Sequence, residues 1–195
     1  MKKNEFINYL NQISQDGFEA LKNGRSTIAL QKFQMILEKH PNNSKILNLV
    51  GLCYVNLKKL NIAKEYFSKA IKNKPEEIGF HINLGNILIK NRDYALAEKI
   101  YIDALKFNKE SPELHYNLGV VYSLIKNFKK SKKHFIFSLN KNKNNKFTLN
   151  NLGTTMKELG NFEKAKEFYK KAIKQDNFFS EAKYNLGLVS LLIKP

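Results

Sequence analysis

The sequence predicts an all-α fold in which pairs of helices repeat along the chain and stack into a solenoid. Glycines recur at a constant interval of 34 residues, which sets six units in one frame: Gly17, Gly51, Gly85, Gly119, Gly153 and Gly187. Within each unit the apolar residues follow the helical period in two stretches separated by turn residues. A lone helix pair cannot bury its own apolar face, so neighbouring units must stack to form a core.

Five full repeats and a final single helix follow when each glycine is placed at position 8 of its unit. We expect residues 1–9 to extend the first helix and the repeats to span 10–43, 44–77, 78–111, 112–145 and 146–179, with a half repeat at 180–195. The periodicity places the first helix of each repeat at about positions 2 to 14 and the second at about positions 17 to 30.

Each helix has its own packing residues. The first helix has its apolar face at positions 4, 7, 8 and 11, as in Leu47, Val50, Gly51 and Tyr54. The second has small residues at positions 20 and 27, and a ring at position 24: Phe33, Phe67, Tyr101, Phe135 and Tyr169. Small residues permit close approach of two helices and the ring fills the space between them.

These features together resemble the tetratricopeptide repeat family over essentially the whole chain after residue 9. The 34-residue period, the small and aromatic positions, and the prolines that close two units, Pro41 and Pro75, carry the resemblance. It implies a right-handed superhelix of helix-turn-helix repeats. Asp16 departs from the pattern at position 7 of the first unit, and no tryptophan occupies position 4.

Asparagine recurs at position 6 of the last four units, always within Asn-Leu-Gly: Asn83, Asn117, Asn151 and Asn185. Positions 2, 6, 9 and 13 lie opposite the apolar face, and we expect them to line the inside of the superhelix. An amide donates and accepts, so it can pair with both polar groups of a peptide unit. The sequence thus predicts a protein-interaction scaffold whose concave groove holds an extended peptide or partner protein, with flanking contacts from Asn48, Asn86, Tyr116, Asn150 and Tyr184.

Two other interpretations of the asparagine row stay open. The row resembles the one lining the tetratricopeptide arm of nucleocytoplasmic O-linked N-acetylglucosamine transferases, which implies a substrate-recruiting arm of a larger glycosyl- or sulfotransferase. Alternatively, asparagine is abundant and the row records duplication of one unit. The clamp by which chaperone-binding members hold a C-terminal aspartate pair is not expected, because Ser14 and Phe18 stand where its lysine and asparagine belong.

Positive charge dominates the composition, with a formal net charge of +17. A basic patch is predicted in a stretch without acidic residues: Lys126, Lys129, Lys130, Lys132, Lys133, Lys141, Lys143 and Lys146. It predicts either a solvated face or binding to nucleic acid or another anionic surface. The bias towards lysine over arginine also fits codon usage in an A+T-rich genome.

No catalytic constellation, metal site or cofactor motif is recognisable, so the sequence predicts a non-enzymatic chain. His81 and His115 share position 4 of successive units and are expected to fill core slots, whereas His40 and His134 look isolated. No stretch is long and apolar enough for a membrane span or signal peptide, which predicts a cytoplasmic protein. Cys53 is expected to be buried and unpaired.

The last helix has more apolar residues than a capping helix needs, including Leu188, Leu191 and Leu192. Solenoids usually end with a polar outer face. We therefore expect the natural protein to continue, this end to self-associate, or the half unit to leave a modest exposed patch.

Overall fold

The structure, a computed structural model, describes the backbone of residues 3–193 and the side chains of residues 8–193. Within this range the chain forms helices and no strand, which confirms the predicted all-α fold. The helices are α1 (Lys3–Lys22), α2 (Ser26–Lys39), α3 (Ser44–Asn56), α4 (Leu60–Asn73), α5 (Ile78–Lys90), α6 (Tyr94–Leu105), α7 (Pro112–Leu124), α8 (Phe128–Lys141), α9 (Lys146–Glu158), α10 (Phe162–Gln175) and α11 (Ser180–Leu192). None of the described helices combines the length and apolarity needed to cross a membrane.

Helix starts follow the 34-residue frame. From α3 onwards every first helix begins at position 1 of its repeat, and every second helix begins at position 17. Local capping sets several of these starts: the side chains of Asn43 and Asn145 accept hydrogen bonds from backbone amides three residues later. Asparagine and serine are preferred at such positions because their oxygens satisfy amides that have no partner inside the helix.

Contacts within the chain cluster into two compact units, one ending at Asn91 and the other beginning at Arg92. Unit 1 contains α1 to α5, and unit 2 contains α6 to α11. The boundary falls in the turn between α5 and α6, inside the third repeat. The repeat pattern of the sequence gives no sign of a division there.

The core of unit 1 is built from the small and aromatic positions. Ala29 and Ala63 at position 20, and Phe33 and Phe67 at position 24, are fully buried. The ring of Phe67 packs so closely on Gly51 that a Cβ atom there would lie 2.5 Å from it. The glycine is therefore required by the ring of its own repeat.

Unit 2 repeats this arrangement with one polar variation. Phe135 and Tyr169 are fully buried against the glycines at position 8 of their repeats. Ser131 replaces alanine at position 20, and its hydroxyl donates to the carbonyl of Gly119 at 2.9 Å. A buried serine is tolerated at this small position because its hydrogen bond is made.

Candidate functional site

The asparagines at position 6 make hydrogen bonds between repeats. In unit 2 the amide of Asn151 donates to the hydroxyl of Tyr116 at 3.1 Å, and Asn185 donates to the side-chain oxygen of Asn150 at 3.0 Å. In unit 1 Asn83 donates to Asn48 at 2.8 Å. Each bond joins position 6 to position 5 of the preceding repeat, 35 residues earlier.

These bonds leave part of each amide available. Asn83, Asn151 and Asn185 are half-buried, and each uses one N–H in the bond described above. An asparagine amide offers two N–H groups and an acceptor oxygen, so further pairing capacity remains. The bond also fixes the plane of the amide, because rotation would break it.

Asn117 differs from the other members of the row. It is half-buried, and its side chain makes no hydrogen bond to a residue within 8–193. Both faces of the Asn117 amide are thus unused.

The residues that flank the asparagine row differ in how deeply they are buried. Asn150 is 1% exposed, donates to Glu181 at 2.8 Å and accepts from Asn185, so it belongs to the packing between repeats. Tyr184 is 68% exposed and Asn86 is exposed. Burial raises the pKa of Tyr116, whose hydroxyl accepts from Asn151. Asn150 is therefore too buried to form part of an exposed contact surface.

The first helices of unit 2 also expose apolar side chains that the sequence analysis did not assign to the groove. Phe147 at position 2 is 51% exposed, and Leu124 at position 13 and Leu188 at position 9 are also exposed. Phe147 lies one helical turn before Asn151 and Leu188 lies one turn after Asn185. Leu124 lies two turns after Asn117. The signal was present, since positions 2, 9 and 13 were already expected on the same face as position 6.

Two family models for the tetratricopeptide repeat match the chain, one at residues 44–77 and 148–178 and the other at residues 82–130, together more than half of its length. This chain belongs to the tetratricopeptide repeat family. The predicted resemblance is thereby confirmed. A comparison with curated protein sequences found no match.

Solved structures of other proteins share the fold at low sequence identity. TTC0263 of Thermus thermophilus, a thermophilic protein, is 19% identical with a TM-score of 0.73, over 93% of this chain and 99% of that one. MamA from Desulfovibrio magneticus RS-1 is 18% identical with a TM-score of 0.76, over 86% and 95%. YrrB, described as having an unusual peptide-binding site, is 21% identical with a TM-score of 0.70, over 88% and 89%.

In the basic patch of this tetratricopeptide repeat protein, some lysines form ion pairs and others do not. Lys141 bonds Glu110 at 2.7 Å, and Lys146 bonds Asp176. These cations lower the pKa of Glu110 and of Asp176. The other lysines of the basic patch make no ion pair to residues 8–193: the exposed Lys126, Lys129, Lys130, Lys133 and Lys143, and the half-buried Lys132.

The expectation that His134 is isolated is wrong. Its Nδ1 atom lies 3.0 Å from Nδ1 of His115, and the Nε2 atom of His115 lies 3.1 Å from the carbonyl oxygen of Lys109. Because that carbonyl can only accept, His115 donates from Nε2 and accepts at Nδ1, while His134 donates. The two positions are 19 residues apart, on α7 and α8, so neither helix reveals the pair alone.

Burial, reinforced by nearby lysines, lowers the pKa of His134 to about 4 and also lowers the pKa of His115. Both rings are therefore neutral near pH 7.

Among residues 8–193 no group of three or more potential ligands could hold a metal ion. At the other end of unit 2, α11 exposes Tyr184, Leu191 and Leu192, and Leu191 is 83% exposed.

Proposed function

We propose that this chain is a protein-interaction module that holds an extended peptide, or an extended segment of a partner protein, on the first helices of its repeats. The main contact surface is assigned to α7, α9 and α11 of unit 2. The observation that carries the proposal is the set of half-exposed asparagine amides, Asn117, Asn151 and Asn185, on successive first helices. We call this set, with its flanking apolar residues, the amide surface.

Amide chemistry supports a peptide backbone as ligand. Asn151 and Asn185 each retain an acceptor oxygen and an N–H after bonding the preceding repeat, and Asn117 retains its whole amide. A peptide unit presents one donor and one acceptor, which this combination satisfies whatever the ligand side chains. The bonds that fix Asn151 and Asn185 also reduce the entropy lost on binding.

Apolar neighbours supply the second part of the surface. Phe147 and Leu188 are exposed one helical turn from Asn151 and Asn185 and can bury side chains of the ligand. Burial of apolar area contributes roughly 25 cal/mol per Å² before the costs of association. Backbone bonds give orientation, and these contacts give affinity and preference for apolar ligand residues.

The family supports the proposal at a general level. Arrays of tetratricopeptide repeats present extended surfaces to other proteins and are typically interaction modules without catalytic residues of their own. YrrB, which shares the fold at 21% identity, is described as having an unusual peptide-binding site. No catalytic role is assigned to the residues of this chain.

The test compares capture of partners from a native lysate by the wild-type chain, an Asn117→Ala/Asn151→Ala variant and a matched Asn140→Ala/Asn144→Ala variant. Asn140 and Asn144 are exposed at the end of α8 and in the turn after it, in the same unit. Peptides from proteins lost only with the first variant are then titrated by calorimetry. We expect that variant to weaken peptide binding at least about tenfold, because two bonds to the backbone are lost.

A Tyr116→Phe variant separates binding from stability. It removes the acceptor of the Asn151 bond but leaves the Asn151 amide in place. We expect it to weaken peptide binding much less than Asn151→Ala does. Equal losses in these two variants, or equal losses in the Asn140→Ala/Asn144→Ala control, would show that stability or surface polarity rather than the amide surface explains the effect.

A second candidate function is electrostatic binding of nucleic acid or another anionic surface by the unpaired lysines of the basic patch. The observation that favours it is that Lys126, Lys129, Lys130 and Lys133 are exposed on one helix and the turn before it. Such binding weakens steeply with added salt, whereas binding to the amide surface should change little. Retention of salt-sensitive nucleic acid by the Asn117→Ala/Asn151→Ala variant would favour this function.

Two further expectations from the sequence stay predictions. Self-association through the exposed residues of α11 should appear as concentration-dependent sedimentation that a Leu191→Glu substitution removes. A cytoplasmic location is expected from the amino-acid sequence and can be tested by fractionation of cells that express the natural gene.

A further inference from the structure

Helix α11 has one face that no other helix in the range 3–193 covers. Its inward face packs on α9 and α10, with Ala182 and Val189 fully buried. The opposite face is a row of exposed residues spaced by four, three and four positions: Ser180, Tyr184, Gly187 and Leu191. This spacing keeps the four residues on one side of a helix and is that of the contact positions in coiled coils. We call these four residues the α11 seam.

Small and large residues alternate along the α11 seam. Ser180 and Gly187 are small, whereas Tyr184 and Leu191 are large and are 68% and 83% exposed. The seam contains no charged residue, although the chain has a formal net charge of +17. The hydroxyl of Ser180 donates to the carbonyl of Phe178 at 3.3 Å and so already has a partner. Covering the seam therefore removes no charge from water.

Glycine at the position of Gly187 receives an aromatic ring in the two preceding repeats. A Cβ on Gly119 would lie 2.6 Å from the ring of Phe135. A Cβ on Gly153 would lie 2.6 Å from the ring of Tyr169. Around the same position of Gly187, no atom of residues 8–193 outside its own helix backbone and its chain neighbours lies within 4 Å. The seam thus has an open slot of the kind that a ring fills elsewhere in unit 2.

We propose that the α11 seam binds the seam of a second copy of this chain in an antiparallel, two-fold symmetric helix pair. With the axis between Tyr184 and Gly187, the Tyr184 ring of each copy enters the Gly187 slot of the other. Leu191 of each copy then lies over Ser180 of the other, so every large residue faces a small one. A parallel pair would set ring against ring and leave the glycines facing empty space. The alternation therefore favours the antiparallel pair, in which one patch is complementary to itself.

This proposal rests on the self-association expected of α11 and is independent of peptide binding by the amide surface. Helix α11 has 13 residues, which gives a length of about 20 Å. Pairing two such helices, with Phe178 and Leu192 exposed at their ends, buries on the order of 1,000 Å² in total. This area is at the low end for a specific interface, so we expect a weak dimer whose population depends on concentration.

Sedimentation equilibrium of the full chain over a range of concentrations tests the proposal with two matched variants. Gly187→Ala puts a methyl group into the slot, and we expect it to weaken dimerisation at least about tenfold. Gly79→Ala is the control, because Gly79 also lies in a first helix, α5, with open space around its Cβ position. Its dimerisation should stay within about twofold of that of the wild type. Alanine favours a helix over glycine, so the loss in Gly187→Ala does not come from unfolding of α11.

Thiol cross-linking tests the direction of the two helices. In a Ser180→Cys/Leu191→Cys variant the two cysteines of one copy lie about 16 Å apart along the helix, too far for a disulfide. An antiparallel pair brings each cysteine beside the other kind in the second copy, so oxidation should give a covalent dimer. The single variants Ser180→Cys and Leu191→Cys should stay uncrosslinked, because like positions are then about 16 Å apart. The wild-type chain controls for the buried Cys53.

The possible failures of this proposal are distinguishable. A wild-type chain that stays monomeric at every concentration would exclude self-association itself. Dimerisation that Gly187→Ala and Gly79→Ala change equally, or cross-linking of the single cysteine variants, would exclude the antiparallel seam while leaving self-association. Species larger than a dimer would indicate head-to-tail stacking and would also overturn the proposal. The Asn117→Ala/Asn151→Ala variant should dimerise like the wild type, so failure of peptide capture has no bearing on this test.

Discussion

Gly153 and Gly187 occupy the same position of successive repeats, each within the tripeptide Asn-Leu-Gly, yet alanine should have opposite effects at the two sites. A Cβ on Gly153 would lie 2.6 Å from a ring carbon of Tyr169, and Tyr169 is fully buried. Around Gly187 no atom of residues 8–193 outside its own helix backbone and its chain neighbours lies within 4 Å of the corresponding position. The ring that fills this space in other repeats is supplied by a second helix, and α11 is the last described helix.

The expected magnitudes follow from two opposing effects. Replacing glycine by alanine inside a helix stabilises it by about 0.8–1 kcal/mol, because less backbone entropy is lost. Forcing a methyl group into a filled core costs about 1–3 kcal/mol. We therefore expect Gly153→Ala to destabilise unit 2 by up to about 2 kcal/mol, and Gly187→Ala to stabilise it by about 0.5–1 kcal/mol.

Urea unfolding monitored by far-UV circular dichroism measures both effects, since both sites lie in unit 2. A Tyr169→Leu background provides the control, because a smaller side chain leaves room for the methyl group. There the cost of Gly153→Ala should largely disappear. The reasoning fails if Gly153→Ala stabilises the protein, or if both substitutions change stability in the same direction.

Three more predictions concern titratable groups. Burial lowers the pKa of His134 to about 4 and lowers that of His115, so stability that is complete above about pH 6.5 should decline towards pH 4. Because both rings are partly exposed, we expect a loss of about 1–2 kcal/mol in urea unfolding, and a flat pH profile would contradict this. Burial raises the pKa of Cys53 to about 11, so a thiol reagent should react only as the chain unfolds, and rapid reaction without urea would refute this. Lys146→Met should raise the pKa of Asp176 in an NMR titration, since the Lys146 hydrogen bond is the main cause of its lowering; an unchanged value would exclude that cause.

The all-α fold and its helix starts could be predicted from the sequence because they depend on local patterns repeated many times. The interval of 34 residues aligns glycine, small residues and rings in every unit, and each helix carries its own apolar periodicity. Capping residues such as Asn43 and Asn145 mark helix starts locally. Five repetitions of one pattern reduce the ambiguity that a single helix pair would leave.

The division into two units was not predictable from the sequence. The pattern runs through the third repeat without interruption, whereas the contacts separate between Asn91 and Arg92. Contact clusters depend on distances between residues far apart in the sequence, whereas the repeat frame describes each helix by its local pattern.

The sequence determined which residues share a helix face, and only the tertiary structure decided which of their polar groups remain available. Asn150 and Asn151 are adjacent and identical in type, yet Asn150 is buried within packing and Asn151 is half-exposed with part of its amide unused. Likewise, His115 and His134 form a hydrogen-bonded pair that the sequence of neither helix predicts. The physical reason is that helix periodicity is a property of neighbours along the chain, whereas burial and hydrogen bonding depend on distances between residues on different helices.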